Sequence, residues 1–599
     1  MDRKALIAIV LSTILIIAYQ ILFLKPPEGP PPGADSAAGV AETAIGPGGE
    51  TAPAAEAAPE TAAAADSPAQ PVAGMEEEEG PGRIVPVLTP LFEIDLDSRG
   101  AAVRAIRLRR FEGLGGNAVA LLDSSAPPAL GLVVETRGGE VDLRRSIFSV
   151  DRDEVRLGPG DEETAVVFEK THPSGISVRR VYRFRADSYR VDVEQTITAA
   201  EPAPRLYSYR LLWEPGIAFT EEGRAEETRE MAAVTALATK TVRDQAGKVK
   251  EGETTLRTGG VRFAALKNKY FAIALITGEE KGPDVRIRRI PGEDRVSLDL
   301  EIASSDAAHD EARIGLFAGP LEMSVLRKEG VGLDGMVDLG WSWIRPISQL
   351  TLSAMKFLYR WVPNYGVVIF LVSLITKLLF YRLTSKSLKS MKDMQRIQVQ
   401  VTALREKYKS DAQRLNKETM ALYKREGVNP LSGCLPMLLQ MPVFIALYQV
   451  LQRTIALRKA PFVLWIDDLS RPDVLATLPI SLPFLGAHLS LLPLLMGVSM
   501  IFQQKMTTVD PRQKAMIYLM PILFTGLFYR LPSGLVLYWL VNNVLSIGQQ
   551  YLLNRGEAKG NGRGGAPASG GEEGTNNNTI GKKATGRGRE GAPRTKESK

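Results

Sequence analysis

The stretch Val367-Val-Ile-Phe-Leu-Val-Ser-Leu-Ile-Thr-Lys-Leu-Leu-Phe380 carries one ammonium group, Lys377, inside an otherwise apolar run. Such a run reads as a membrane span, and a charge near the middle of a bilayer costs about 3 kcal/mol on insertion scales. A residue in that position snorkels, finds a partner or lines a wet cavity, and the last case marks a functional site. Arg382 follows five residues later, about 8 Å along a helix, so the long Lys377 stem can also reach the polar boundary. Position alone leaves these readings open.

Outward from this run, the apolar residues of the 599-residue chain concentrate in the first 24 positions and after Trp341. A span needs about 20 mostly apolar residues. Six apolar cores qualify: Ala5 to Leu24, Tyr365 to Leu383, Leu435 to Leu451, Leu489 to Phe502, Ala515 to Tyr529 and Leu535 to Leu553. With their flanks, the last five are expected at 365–383, 430–451, 489–505, 515–530 and 533–553. The first follows Asp2, Arg3 and Lys4, as a secretory signal would. Its apolar core exceeds the usual 7 to 15 residues of a signal, though, and Lys25, Pro26 and Pro27 close it at once. Residues 1–25 are therefore read as an uncleaved anchor.

Lys and Arg in short connections orient a membrane protein. Lys386 to Glu426 holds 11 basic residues against five acidic ones, whereas Arg453 to His488 holds four against three. The first connection is assigned to the cytoplasm, both termini with it, and the region from Ile84 to about Met336 to the periplasmic side of a bacterial inner membrane. The single cysteine, Cys434, excludes an intramolecular disulfide framework.

Residues 26–83 are dominated by Pro, Ala, Gly and Glu and read as a disordered tether. From Ile84 to about Ala318 the pattern has period two. Phe92, Ile94 and Leu96 alternate with acids, as do Val191 and Val193 with polar neighbours, and Val296, Leu298, Leu300 and Ile302 with Ser, Asp and Glu. Alternation of this kind, cut by Gly, Pro and Asp turns, predicts an antiparallel β-sandwich over 84–336. Residues 337–364, with Trp341, Trp343 and Trp361, predict an interfacial amphipathic helix. Residues 384–429 predict a helical hairpin, with Leu388, Met391, Met394, Ile397, Val401, Leu404 and Tyr408 on its inner face and a turn at Lys409 to Asp411. Its basic exterior suits RNA, a ribosomal surface or anionic lipid, and equally a solvated face. Residues 556–599, Gly-rich and basic, read as a disordered tail.

The fold class is thus a polytopic α-helical membrane protein with six transmembrane helices and a periplasmic antiparallel β-sandwich domain. Within it the polar residues form a stripe. Ser373 and Lys377 stack one turn apart; Tyr538, Asn542 and Ser546 form a matching row in the last span, with Asn543 and Gln549 beside it; Gln440 and Gln449 come from the third. Prolines at 430, 436, 442, 493 and 521 predict bent helices. No acidic residue lies in the last five spans to carry a coupling ion, which disfavours a pump. The two histidines of the β region, His172 and His309, sit in stretches that look like loops. Nothing there has the spacing of a metal site, a phosphate loop or a cofactor site. A membrane-anchored enzyme or sugar-binding module and a small-molecule channel remain as rival classes.

The run Asn429-Pro-Leu-Ser-Gly-Cys-Leu-Pro436, then Gln440-Met-Pro442, Ala446-Leu-Tyr448 and Pro532-Ser-Gly-Leu-Val-Leu-Tyr538 with Asn542, closely resembles the YidC/Oxa/Alb family of membrane protein insertases. The form it resembles has a large periplasmic domain. That resemblance implies a five-helix core enclosing a groove open to the cytoplasm and lipid, and insertion without covalent chemistry. The family's groove carries one positive residue in the second span, usually arginine, and the matching position is Lys377. Lysine keeps the charge but loses the planar fork of donors. Arg382 stands where proline is common, and Trp539 where a second aromatic follows Tyr538. The implied substrate-groove residues are Lys377, Ser373, Gln440, Tyr538, Trp539, Asn542 and Ser546. The implied partners are nascent inner-membrane proteins, the Sec translocon, the ribosome, the signal recognition particle receptor and the lipid bilayer.

Overall fold

The computed structural model describes residues 80–200, 205–277, 282–428, 435–482, 486–507 and 514–561. The expected anchor, the tether through residue 79, Cys434 with the start of the Asn429 motif, and the tail after 561 lie outside the described residues.

Alternation becomes burial in two of the three strands: Phe92, Ile94 and Leu96 are buried along Phe92–Asp97, and Val191 and Val193 along Arg190–Ala199. In Val296–Ala303 the four apolar positions are buried, but so are Ser297 and Asp299, the latter paired with Arg288. Among the described residues the β region builds three sheets, of nine, six and five strands. The nine-stranded sheet runs from Thr241–Gln245 at one edge through Phe271–Ile276 and His309–Pro320 to Ser149–Val150 at the other. Among the described residues pairing is antiparallel, except where Val87 and Leu88 meet Val155 and Arg156 in parallel. One contiguous core joins all three sheets. His172 does lie in a turn, its Nδ1 2.8 Å from Ser174 Oγ. His309, by contrast, begins a strand opposite Thr198, because that strand extends past its apolar part to pair with Arg190–Ala199.

Ala232–Ala236, Phe263–Lys267 and Phe271–Ile276 are buried at every position. A strand buried on both faces reads as a continuous apolar run rather than an alternation, and Phe271-Ala-Ile-Ala-Leu-Ile276 is such a run. The five-stranded sheet covers part of it, with Phe111 edge-on to Phe271 at 5.3 Å. The connection from the helical region covers more, since the Arg458 guanidinium lies 5.4 Å over the Phe271 ring. This is where the β region and the helices meet.

Ten helices follow in chain order among the described residues: α1 (Arg224–Glu230), α2 (Met323–Lys328), α3 (Arg345–Trp361), α4 (Tyr365–Leu379), α5 (Tyr381–Lys407), α6 (Ala412–Arg425), α7 (Leu435–Arg453), α8 (Leu491–Thr507), α9 (Lys514–Phe528) and α10 (Ser533–Asn561). α3 starts with Pro346 in its first turn, where a missing N–H costs nothing. It packs on α7 and leaves Leu350, Phe357 and Trp361 exposed. Asn364 caps α4 by accepting from Val367 N at 3.1 Å. Asp411 caps α6 by accepting from Arg414 N at 2.9 Å, and Gly427 ends that helix in the left-handed region, at φ 67°. The α5–α6 hairpin buries only Ile397, Val401 and Leu422 among its large apolar residues.

The expected second span differs in shape. α4 ends at Leu379 and the chain bends by 67° into α5, so the helix stops short of Leu383. Among the described residues no single helix is long and apolar enough to cross a membrane, and only α4 with α5 passes as a bent pair. α7 and α9 carry Pro442 and Pro521 in their interiors.

Candidate functional site

α4 enters the bundle beside the β region and leaves at the far end. At its start, Asn364 Nδ2 donates to Phe462 O at 3.1 Å in the connection after α7. Thirteen positions on, about 20 Å at 1.5 Å per residue, Lys377 projects onto α10 and its Nζ donates to Ser546 Oγ at 2.6 Å. Ser546 in turn donates to the Asn542 carbonyl at 2.6 Å. Asn542 donates to the Tyr538 carbonyl at 2.9 Å and accepts from Gln440 Nε2 at 3.1 Å. The Tyr538 hydroxyl lies beside the same two amides. Positions 538, 542 and 546 fall one turn apart on α10, so one helical face meets α4 and α7 together.

Five of the seven expected residues therefore converge: Lys377, Ser546, Asn542, Gln440 and Tyr538. Ser373 is fully buried on the Lys377 face, but its hydroxyl turns back to the Ile369 carbonyl at 2.8 Å, the usual helical self-bond of a serine. Trp539 points away from the row into an aromatic cluster with Phe444 (4.9 Å), Phe528 (5.1 Å) and Phe524 (5.9 Å). Asn543 bonds Ser499 Oγ at 2.9 Å on α8. Gln549 bonds Thr384 Oγ1 at 2.9 Å just past the α4–α5 bend. Gln449 leaves the stripe altogether: it accepts from Arg453 at 2.7 Å at the β-region end, since nine residues separate it from Gln440 along α7.

Lys377 is half-buried, and among the described residues no carboxylate pairs with it. An ammonium has three donors, and one of them is engaged by Ser546. What the arrangement offers is a positive charge with free donor capacity, flanked by amide and hydroxyl groups inside an apolar bundle. That set suits transient attraction of acceptors.

A second polar cluster, absent from the sequence reading, holds the helices to the β region. Arg458 Nε meets Glu221 Oε1 at 2.6 Å, and its Nη1 donates to the Glu112 carbonyl at 2.7 Å. Arg471 reaches Glu222 at 3.0 Å and Glu221 at 3.4 Å. Beside them Arg453 bridges Glu230 at 3.2 Å and Asp338 at 3.0 Å, and Arg243 joins Asp338 at 3.1 Å. Burial opposes the charge on Glu230, but Arg453 and Lys267 outweigh it and hold its carboxyl below the ordinary range. Arginines spaced 453, 458 and 471 in an otherwise sparse connection were the available signal, although their glutamate partners lie more than 200 residues away.

Lys267 makes this cluster pH-sensitive. Burial, only partly offset by Glu230 at 3.7 Å, brings its amine down to about 8. The folded pKa lies below the unfolded value near 10.4, so holding the charged amine costs stability in full below pH 8. That cost fades between about pH 8 and 10.5 as the folded state sheds the proton first. Lys267→Met is expected to raise the thermal midpoint at pH 7 by a few degrees, a gain that shrinks toward pH 10. A thermal-melt series against pH checks this, and an equal gain at both ends would contradict it.

Residues 84–349 match the model of the YidC periplasmic domain, and residues 357–560 that of the 60Kd inner membrane protein family. The membrane protein insertase YidC of Syntrophus aciditrophicus is 34% identical over 569 residues, covering 93% of this chain and 100% of that relative. The YidC of Pelobacter propionicus is 34% identical over 566 residues, covering 93% and 99%. Among solved structures, the crystal structure of an active YidC insertase with its first transmembrane domain resolved covers 79% of this chain and 94% of that one, at 19% identity and a TM-score of 0.35. These relatives cover 93% of this chain, β region and helices together, and the chain belongs to the YidC membrane protein insertase family.

Proposed function

We propose that this protein inserts membrane proteins into a bacterial inner membrane through a hydrated groove in which Lys377 is the fixed charge. The observation that carries this is the Lys377–Ser546–Asn542–Gln440 row inside an apolar bundle. Water held by these groups lowers the cost for a client's short hydrophilic segment to enter. The ammonium attracts that segment when it is acidic. The client's apolar segment then partitions into lipid along α7 and α9, and its hydrophobic transfer carries the hydrophilic end across. No bond is made or broken, so this is translocation without a metabolic reaction.

The orientation is part of the proposal. The connection after α7 is tied to the β region by Arg453 and Arg458, and α4 starts at that same end. The α5–α6 hairpin therefore leaves the bundle at the opposite end, which supports a cytoplasmic hairpin and a periplasmic β domain. Six spans, with the first at residues 1–25, and domain limits at 84–336, 337–364 and 365–555 complete the reading. The basic hairpin and tail recruit the ribosome or the signal recognition particle receptor, and work with the Sec translocon extends the client range.

The test is reconstitution. Liposomes holding the full chain are expected to bring a single-span client with an acidic leading segment into protease protection several-fold above empty liposomes. Equal protection in both would sink the proposal.

A further inference from the structure

The connection between α7 and the strand Ala476–Leu482 contains a tight turn, Val463-Leu464-Trp465-Ile466, closed by Ile466 N donating to Val463 O at 3.2 Å. Leu464, its second residue, has φ 58°, and Trp465, its third, is not in the left-handed region. A positive φ at the second position is one that glycine adopts freely and a leucine adopts only against steric resistance. Leu464 is nevertheless 84% exposed and Val463 48% exposed. A strained backbone spent on presenting two aliphatic side chains outward calls for something to receive them.

The surroundings say what. Arg458 and Lys459 fasten the base of the connection to Glu221, Glu112 and the Gly113 carbonyl of the β region. Phe462, just before the turn, accepts from Asn364 and lies so close to Gly366 that a β-carbon there would overlap its ring. The tip therefore sits beside the corner between α3 and α4. At that corner Trp361 of α3 (77% exposed) also faces outward, with Phe357 one turn before it, and exposed Phe370 and Ile375 follow along α4. Aromatic and aliphatic side chains aligned where an apolar helix begins match the headgroup and acyl boundary of a bilayer.

We propose that the Val463–Leu464 tip inserts into the outer leaflet beside the start of α4 and acts as a lipid-facing wedge that anchors the β region to the membrane surface. This rests on the reading of α4 as part of a membrane span, and the experiment separates the two.

The full chain carrying Cys434→Ala, so that no other cysteine remains, is labelled with an environment-sensitive nitrobenzoxadiazole dye at Leu464→Cys, at Val463→Cys or at Ile375→Cys on α4. Arg313→Cys, on the solvent side of the β region with 85% of its side chain exposed, is the aqueous reference. Each is reconstituted into phosphatidylcholine and phosphatidylglycerol vesicles with spin labels near the headgroup or deep in the acyl chains. Positions 464 and 463 are expected to emit to the blue of position 313 and to be quenched at least twofold more by shallow than by deep spin labels. Emission like that of 313, without lipid quenching, overturns the wedge if 375 is quenched, and overturns the span reading itself if 375 is not. Blue-shifted emission without lipid quenching also overturns it, because a protein surface rather than lipid would then cover the tip. Labelling at 463 keeps the test decisive should the 464 variant not fold.

Discussion

Lys377→Glu is expected to reduce insertion of a client with an acidic leading segment by more than tenfold, and Lys377→Ala to reduce it by less. Two unit charges at 4 Å are worth about 4 kcal/mol at an effective dielectric of 20, and each 1.4 kcal/mol is a factor of ten. Partial exposure of Lys377 discounts that figure, yet reversing the sign turns an attraction into a repulsion and leaves ample margin. Alanine removes only the attraction. Arginine in its place keeps the charge and adds donors, so Lys377→Arg should insert at close to the wild-type rate. A client with a neutral leading segment provides the control, because it gains nothing from the charge and should respond little to Lys377→Ala. Protease protection in proteoliposomes reads all of these. Acidic-client insertion unchanged in Lys377→Ala would remove the electrostatic part of the mechanism and return Lys377 to an anchoring role.

Arg458→Ala carries the largest expected effect on stability. The Arg458 guanidinium and the Glu221 carboxylate are both almost fully buried, and the same arginine supplies a donor to the Glu112 carbonyl and lies over Phe271. Removing one partner of a buried pair costs about 3–5 kcal/mol, since the other charge stays buried without its counter-ion. Arg471, at 3.4 Å from Glu221, recovers part of this. Thermal unfolding should therefore show a clear drop for Arg458→Ala. The double variant Arg458→Met with Glu221→Leu should recover much of it, because two apolar groups of similar size leave no orphaned charge. An unchanged midpoint in Arg458→Ala would mean that the helices and the β region are held together by something else.

The elements of this protein follow from local pattern, and the reason is geometric. A residue's neighbours at two, three or four positions decide which face it shares, so alternation gave Phe92, Ile94 and Leu96 one buried face, and Tyr538, Asn542 and Ser546 one stripe. Capping is equally local: Asn364 and Asp411 bond backbone groups three residues away. Pattern misled where a second surface intervened. Phe271–Ile276 breaks the alternation because something lies on each of its faces, and Gln449 left the stripe for an arginine at the other end of its helix.

By itself the sequence determined that there is a β-rich region followed by apolar helices, that the ammonium of Lys377 lies inside one apolar run, and that Ser373 shares its helical face. Only the tertiary structure decided that this ammonium meets Ser546, 169 positions away, and that Arg458 meets Glu221 across 237. Backbone periods of 2.0 and 3.6 residues are written in any short window, whereas the partner of a charge depends on how whole elements dock, to which every contact contributes a little and no short window the whole.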